Sequence, residues 1–473
     1  MLGPQKVRKI FADGTRWGLL TGWLIGMLLP VCSLGVIPIV RELHRAGVKK
    51  GTILAFGLTA PLFNPMSVLY GLTLSDPIAI LSFSLCALVI VSLLGMVWNL
   101  TGKQTEPEKP EPLPAVGIKR SISVFHTASK EIIGPSLIYI LIGIAGSVAL
   151  ATLLPKGYLQ NQVERDNILA PLVVGLIATP IYSTPLLAMS QIGGMFQHGN
   201  SIGAAFSLLI LGAGTNLGLF CWFGKTWGVR NVFLFFVLLF ATTVSLAYLI
   251  DKPLYPKGIE PAGHTHAFDV YSHPFEKGQT NLIFDLQRKT NDFWKANEFG
   301  GTWTLGGMIV LGLCFLVIER FVKLEDWFCT ASESKSKVDM ILPGWVLGVT
   351  VVIGLVVASV IGCYLYYPAP DDLLGDLRVV HTEAVLSSRN EDWEAAEKWV
   401  IFSDDLSRRL EVGVFLREGS VGEFKSTKSK YYREKLEELR MGVEARDPKR
   451  IDEVWNDVED AYQRMSKAFR EQE

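Results

Sequence analysis

Charge is missing from long stretches of this 473-residue chain. No Lys, Arg, Asp or Glu occurs between Asn167 and Gly224, and uncharged stretches of 24 and 25 residues precede Arg41 and Asp76. An α-helix rises about 1.5 Å per residue, so about 20 apolar residues cross the hydrocarbon core of a bilayer. The uncharged stretches, in a chain of mean hydropathy +0.31, therefore predict an integral, all-α, polytopic membrane protein.

Cysteine is also scarce, and its placement excludes two kinds of site. The six cysteines lie mostly in apolar stretches, and none forms a Cys-x-x-Cys motif, so neither a disulfide framework nor a zinc or redox motif is expected. No dense basic segment predicts nucleic-acid binding. The sequence contains no Ser/His/Asp arrangement, no paired carboxylates and no HExxH motif, so it does not predict an enzyme. We also expect no cofactor.

The sign of the charge divides the chain near residue 371. Residues 371–473 carry 25 acidic and 18 basic side chains, a net charge of −7, and the residues before them carry a net charge of +6. We therefore predict a membrane part and a soluble, acidic C-terminal domain. Amphipathic stretches starting near Asp371, Asn390, Ser426 and Asp447 predict four helices in a small bundle. This domain would have a structural role or dock a protein partner.

Helix-breaking residues interrupt two of the apolar stretches. Residues 29–70 contain four prolines, at positions 30, 38, 61 and 65, and place Asn64 between the last two. Residues 167–224 contain Pro180, Pro185 and two glycine-rich segments. In hydrocarbon a broken helix is tolerated only where protein or a water-filled cavity covers its unpaired peptide groups. Such breaks often mark the binding site of a transporter.

The two interrupted regions align at a constant spacing of 152 residues. Gly47, Gly51 and Asn64 recur as Gly199, Gly203 and Asn216. The same spacing aligns the apolar helix at 77–100 with a second one at 231–250, which predicts an internal repeat. The span at 132–155 has no counterpart in the first half. The predicted parts are a permease core at 1–250, with repeats at 16–100 and 132–250 around a linker at 101–130, a polar loop at 251–301, two further membrane helices at 302–367, and the soluble domain at 371–473.

Loop charges predict how the repeats are oriented. Arg16 precedes the first broken segment, and basic residues from Arg41 to Lys50 follow it, so both ends are expected in the cytoplasm. Residues 17–40 would then form a re-entrant hairpin. The corresponding second loop, GGMFQHGNSIG, lacks Lys and Arg and is expected outside, which makes the repeats inverted. If every segment crossed fully, the repeats would be parallel. The span count favours an external C-terminal domain.

Inverted repeats predict a shared polar site near the middle of the membrane. The hairpin tips, at Cys32-Ser33 and at Tyr182-Ser183-Thr184, should face the helix breaks at the two asparagines. Half-helix ends expose N–H and C=O groups that can hold a polar solute without a buried charge. The candidate substrate-binding residues are Cys32, Ser33, Asn64, Ser183, Thr184, Thr215 and Asn216.

These motifs resemble those of a known family. PVCSLGVIPIVRELHRAG, followed by KKGTILAFGLTAPLFNPMSVL, is similar to the signature of the predicted permease family that includes the organoarsenical efflux permeases. SIGAAFSLLILGAGTNL resembles its second-half counterpart, and the likeness covers roughly residues 16–250. The resemblance implies a multi-spanning permease of the plasma membrane. It also implies efflux of trivalent organic arsenicals or related metalloids. Leu34 stands where members often have a second cysteine.

Each candidate residue also has a purely structural interpretation. Cys32 is either a soft ligand for a metalloid or a small packing residue. Asn64 and Asn216 either bind the solute or cap the half-helices that follow them. The repeated glycines favour close helix packing. In the polar loop, His264, His266 and His273 either bind a metal or are solvated side chains.

The sequence thus predicts a secondary-transporter-like permease for a small polar or metalloid solute. Its expected partners are the lipid bilayer and that solute. The alternative, from another class, is a membrane-anchored interaction or sensing protein whose permease core no longer transports. The distance between the two helix breaks is the observation that bears most directly on the mechanism.

Overall fold

The structure is a computed structural model. It describes residues 4–11, 17–29, 31–101, 118–155, 158–159, 161–180, 183–255, 307, 310–315, 317–319 and 344–470. Within those residues the chain is helical and has no β-strand. The helices of the N-terminal part are α1 Pro4–Ile10, α2 Gly18–Leu28, α3 Val36–Arg45, α4 Lys50–Thr59, α5 Pro65–Leu74, α6 Pro77–Thr101, α7 Ile118–Ile133, α8 Pro135–Leu153, α9 Ala170–Ala178, α10 Pro185–Gln197, α11 Ile202–Ser207, α12 Leu217–Trp227 and α13 Val229–Asp251.

The C-terminal part begins with an apolar helix and continues with four longer amphipathic ones. These are α14 Gly344–Tyr366, α15 Pro370–Arg389, α16 Trp393–Glu418, α17 Glu423–Ala445 and α18 Pro448–Arg470. The predicted span at 302–318 lies largely outside the described residues, which include part of a short apolar helix, Val310–Glu319. The polar loop from residue 256 onwards also lies outside them.

Three described helices are long and apolar enough to cross a bilayer, and they match predicted spans. They are Pro77–Leu100, Pro135–Leu153 and Val229–Asp251. Two bent helix pairs raise the number of such segments to as many as five: α11 with α12 at 58°, and α14 with α15 at 43°. Of the second pair, we expect only α14 in the bilayer, because α15 carries Asp371 and Asp372 in its first turn.

Helix α7 forms in the second part of the predicted linker. The prolines of this linker end at Pro114, and no other proline occurs before Pro135, so the segment between them can form a regular helix. On α7, His126 and Ser129 are buried. This helix packs against α8. Residues 102–117 lie outside the described part of the chain.

Helices of the two halves begin at matching positions. Four pairs start 152 residues apart: α2 and α9 at Gly18 and Ala170, α4 and α11 at Lys50 and Ile202, α5 and α12 at Pro65 and Leu217, and α6 and α13 at Pro77 and Val229. Because helix ends depend on local breakers, the two repeated glycines and the repeated asparagine explain the matching starts of α4 and α11 and of α5 and α12.

The turn before α4 and the turn before α11 have the same glycine conformation. Gly47 has φ 74° and Gly199 has φ 62°, in the left-handed region that a residue with a Cβ rarely adopts. Four residues later each half places a second glycine in a tight contact. The amide of Gly51 donates to Asn99 Oδ1 at 3.0 Å, and the amide of Gly203 donates to Asp251 Oδ1 at 2.7 Å. Asn99 and Asp251 are themselves 152 residues apart.

The chain divides into two compact units. One comprises residues 1–64 and 81–355, and the other comprises residues 65–80 and 356–473. In the second unit, α15 to α18 share a hydrophobic core that includes Leu377, Leu410, Tyr432 and Val458. Helix α18 contributes Ile451, Val458, Ala461 and Met465 to this core, and the partly buried Val454 packs against it. Helix α17 begins at Glu423, just before the predicted start, because Gly422 ends the preceding turn.

Candidate functional site

Residues 17–40 form two helices and not one continuous crossing. Helix α2 ends at Leu28, Leu29 is extended, and α3 begins at Val36 after a turn. Pro30 lies outside the described residues. At the tip, Cys32 is half-buried, and its Sγ accepts a weak hydrogen bond from the Gly35 amide at 3.4 Å. The interruption that the sequence predicts is therefore present at Cys32 and Ser33.

Ser33 presents an unused hydroxyl at this tip. The residue is completely buried, and its Oγ has no hydrogen-bond partner among the described residues. Leaving a buried hydroxyl unpaired costs about 1 to 3 kcal/mol, so native proteins rarely do so without water or a ligand. The Ser33 hydroxyl is thus a group that a bound solute or a water molecule could satisfy.

The second helix break has an unusual geometry. Helix α11 continues as a π-helical segment, Leu208–Ala213. At its end the Gly214 amide donates to Leu209 O, five residues earlier, at 3.3 Å. Thr215 is buried, and its hydroxyl donates to Leu211 O at 2.7 Å. π-helical turns are rare and often occur at functional sites. The chain then becomes extended before α12 starts.

Asn216 joins the second break to the first hairpin tip. Its Oδ1 accepts the amide of Leu219 at 2.9 Å and so caps α12, and its Nδ2 donates to Ser33 O at 2.7 Å. The residue is fully buried. The structure therefore shows the capping interpretation of this asparagine, and the same amide contacts the other half of the protein.

Helix α8 packs closely on this junction. A Cβ at Gly143 would lie 2.5 Å from the Leu34 side chain and 3.0 Å from Asn216 Oδ1. A Cβ at Gly218 would lie 1.8 Å from Tyr139 O. Glycine is thus required at both positions for α8 to approach α12. Leu34 fills part of this contact.

The first break lies beside the second one. Helix α4 ends at Thr59, a turn follows, and Asn64 is 8% exposed immediately before α5. Two residues earlier, the Leu62 side chain lies 2.9 Å from the position of a Cβ on Gly214. The structure therefore brings the two interrupted segments together at Leu62 and Gly214, and it brings Ser33 to Asn216.

The second hairpin tip is held mainly by its own hydrogen bonds. Ser183 is 1% exposed, and its hydroxyl donates to Thr184 O at 3.3 Å. The Thr184 hydroxyl accepts the amide of Leu187 at 3.2 Å and so caps α10. Tyr182, also predicted at this tip, lies outside the described residues. Ser183 and Thr184 thus bond within their tip, in contrast to Ser33.

One group near the site is missed by sequence reasoning. Arg41 and Glu42 are adjacent at the base of the first hairpin, but Arg41 pairs with Glu131 of α7 and donates to Ser136 Oγ at 2.6 Å. Glu42 pairs instead with Arg45. Adjacent residues point to different faces of a helix, so they cannot pair closely. The amphipathic pattern of residues 118–133 could have indicated α7, but not its partner.

Three histidines of the polar loop are the predicted metal ligands. His264, His266 and His273 lie outside the described residues. Within the described part of the chain, no group of three His, Cys, Asp or Glu side chains could hold a metal ion.

Comparison with known proteins identifies the family. A family model described as a predicted permease matches residues 1–252, which is more than half of the chain. The chain belongs to the predicted permease family. The match ends at the last residues of α13 and so contains both interrupted regions and the junction of Asn216 with Ser33. Family membership and the apolar helices together make the chain a multi-pass membrane protein and a permease.

One relative is the UPF0718 protein YcgR of Bacillus subtilis strain 168. It is 25% identical over 228 residues, which cover 45% of this chain and 74% of that protein. No solved structure matches the chain. A permease family implies transport and not catalysis, in keeping with the lack of enzyme motifs in the sequence.

Proposed function

We propose that this permease moves a small polar or metalloid solute by alternating access between two inverted repeats of interrupted helices. The observation that carries the proposal is the 2.7 Å hydrogen bond from the Asn216 amide to Ser33 O. It joins the second helix break to the first hairpin tip, the arrangement expected where the repeats of a secondary transporter meet. The solute site would include Cys32, Ser33, Asn64, Ser183, Thr184, Thr215 and Asn216.

Aromatic contacts support an inverted and not a parallel arrangement. The Lys50 ammonium, at the start of α4, lies 5.8 Å from the ring centroid of Trp227, at the end of α12. His44 also packs against Trp227. If the repeats were parallel, the start of α4 and the end of α12 would lie on opposite faces of a hydrocarbon layer about 30 Å thick. An inverted arrangement puts both on one face.

The chemistry of the proposed site favours an uncharged solute. Its candidate groups are hydroxyls, amides and one thiol. A charged solute would therefore find no side chain of opposite charge in this site. The unpaired Ser33 hydroxyl can donate a hydrogen bond, and the half-buried Cys32 thiol is the soft ligand that a trivalent arsenical prefers. We therefore propose trivalent organoarsenicals as the first substrate class to test, with efflux across the plasma membrane.

The C-terminal helices complete the proposal. We infer that α15 to α18 form a soluble four-helix bundle attached to the membrane part through α14, with its external side favoured by the span count. Charged residues on the outer faces of these helices support a solvent-exposed domain. Docking of a protein partner is the role we assign to that surface.

The test is transport by the full-length protein in proteoliposomes. A trivalent methylated arsenical is loaded, and its flux is compared for the native protein, Asn64→Ala and Asn216→Ala. Losing a buried hydrogen-bonding amide costs about 1 to 3 kcal/mol, so each variant should lower the initial rate about tenfold or more. Asn231→Ala is the matched control, because that amide bonds to Trp227 O across the turn between α12 and α13, away from the breaks.

Two results would contradict the proposal. If vesicles that contain the native protein transport no arsenical and no related neutral solute, the result would favour the non-transporting interaction or sensing protein. Transport that survives Asn64→Ala and Asn216→Ala unchanged would place the solute path elsewhere in the protein.

A further inference from the structure

The half-helix that follows Asn64 is covered by the C-terminal segment of the chain. The Tyr367 hydroxyl donates to Met66 O at 3.1 Å, at the start of α5. A Cβ on Gly362 of α14 would lie 3.6 Å from Met66 Sδ, in ordinary van der Waals contact. Tyr367 is completely buried although it follows an apolar helix of which much is exposed. This tyrosine therefore bonds to the backbone two residues after the first break.

The soluble helices hold Tyr367 from the other side. Arg417 of α16 donates to Tyr367 O at 3.0 Å, and its guanidinium lies 5.2 Å from the ring centroid of Tyr364. A Cβ on Gly413 would lie 3.0 Å from Pro368 O, so the absence of a side chain lets α16 approach the chain after α14. A continuous series of contacts thus runs from Arg417 through Tyr367 to Met66.

Helix α16 also packs directly along α5. Tyr70, one turn further along α5, is 2% exposed. Most of α5 is apolar, and none of its residues is fully exposed. The half-helix is therefore enclosed by the end of α14 and by one face of α16.

The corresponding half-helix in the second half has a different partner. Gly218 is the residue 152 positions after Met66, and it packs against Tyr139 O of α8. Helix α8 precedes α9 and α10, the helices of the second hairpin, in the chain. At Met66 the equivalent contact is made by residues near the C-terminal end of α14. Equivalent half-helices are thus packed by different segments of the chain, α12 by α8 and α5 by the end of α14.

We propose that the C-terminal segment is a built-in partner of α5, and that Tyr367 is a positioning residue for this half-helix. The C-terminal segment packs against α5 as α8 packs against α12. Arg417 links Tyr367 to the soluble helices. Pro65 follows Asn64 directly, so a shift of α5 moves the first break. The effect on transport rests on the proposed permease function, whereas the effect on α5 itself does not.

The contact is tested by disulfide formation in the full-length protein lacking its six native cysteines. Met66→Cys with Gly362→Cys should cross-link on mild oxidation. Met66→Cys with Gly354→Cys is the matched control, because Gly354 has no neighbour within 4 Å of its Cβ position and lies two turns away on the same helix. Equal cross-linking of both pairs, or none at Gly362, would overturn the proposed contact.

The positioning role is tested by the rate at which a thiol reagent modifies Thr73→Cys, a half-buried position on α5. Tyr367→Phe removes only the hydroxyl that bonds to Met66, and Arg417→Gln removes the bond to Tyr367 O. The loss of one buried hydrogen bond shifts the equilibrium for separation of α5 from the C-terminal segment about two- to tenfold. Both variants should therefore increase the modification rate by that factor. Tyr364→Phe, which removes an exposed hydroxyl and keeps the ring under Arg417, should leave the rate unchanged.

The two proposals can fail separately. An unchanged modification rate in Tyr367→Phe would overturn the positioning role, whatever the protein transports. An increased rate together with no flux of any solute through the native protein would support the positioning role and contradict the permease function. If flux is present, Tyr367→Phe should change its initial rate and Tyr364→Phe should not.

Discussion

At the scale of single residues, this protein uses polar side chains that each make two contacts. Asn216 is one example, and His381 in the C-terminal helices is another. His381 is 1% exposed, its Nδ1 lies 2.9 Å from the Tyr432 hydroxyl, and its Nε2 lies 2.9 Å from Glu459 Oε2. Burial lowers the pKa of His381 below its ordinary value of 6.5, and the Glu459 carboxylate offsets only part of that effect.

This shift predicts that stability of the C-terminal helices depends on pH. When the unfolded chain takes up a proton near pH 6.5 and the folded chain does not, acidification favours unfolding. Stability should therefore be full above the unfolded pKa and should decrease as the pH falls from it toward the lower folded pKa. The measurement is the thermal unfolding midpoint of the full-length protein in detergent between about pH 7.5 and pH 5.5.

Two variants sharpen this measurement. His381→Gln should be less stable than the native protein but nearly independent of pH across that range, because the titrating group is gone. Glu459→Gln removes a carboxylate that raises the pKa of His381, so it should make the loss of stability on acidification larger. A native midpoint that stays constant over the range would show that His381 does not titrate differently on folding.

At the scale of helices, close packing at two equivalent glycines holds each half together. A Cβ on Gly51 would lie 2.2 Å from Gly95 O, and a Cβ on Gly203 would lie 2.7 Å from Ala247 O. Both obstacles are backbone atoms, so they cannot move aside as a flexible side chain could. Helix α6 is thus held at a fixed distance from α4, and α13 is held at a fixed distance from α11.

We expect Gly51→Ala to lower the free energy of unfolding by about 1 to 3 kcal/mol, with a smaller loss for Gly203→Ala, because overpacking forces the backbone apart. Gly224→Ala on α12 is the control, since nothing lies within 4 Å of its Cβ position and alanine favours helix by about 0.5 to 1 kcal/mol. Chemical denaturation of the purified protein in detergent measures all three. A Gly51→Ala variant as stable as Gly224→Ala would contradict the packing interpretation.

At the scale of the whole molecule, the proposed topology makes the turns before α4 and α11 face opposite sides of the membrane. These turns have the same left-handed glycine, yet one is followed by Lys49 and Lys50 and the other has no Lys or Arg. The local structure of the turn is thus repeated, whereas its charge is not. Because basic loops are retained in the cytoplasm, the two turns are expected on opposite sides of the membrane. Inverted repeats are what this combination predicts.

Cysteine labelling tests the topology. In a protein lacking its native cysteines, Lys49→Cys should react with a membrane-impermeant maleimide only in inside-out vesicles, and His198→Cys should react only in intact cells. Both positions are partly exposed in the structure. Each variant serves as the control for the other, because it shows that the reagent reaches its own side. Labelling of both from the same side would indicate parallel repeats.

Much of the fold follows from local chemistry that the sequence displays directly. Asn64 and Asn216, at a spacing of 152 residues, predict where α5 and α12 begin, because a capping residue acts on the backbone that directly follows it. Apolar length predicts α6, α8 and α13 for the same reason. The sequence also predicts that the tip at Cys32-Ser33 faces the helix breaks, but it predicts neither the hydrogen bond between Asn216 and Ser33 nor the π-helical segment before Asn216.

By itself, the sequence determined the membrane character of this permease, its two interrupted segments and its four amphipathic C-terminal helices, since each depends on neighbours within a few residues. Only the tertiary structure decided that Glu131 pairs with Arg41 and that Tyr367 holds the start of α5. Those contacts join residues about 90 and 301 positions apart. Their formation depends on which surfaces remain uncovered after the helices have packed, and no local pattern records that.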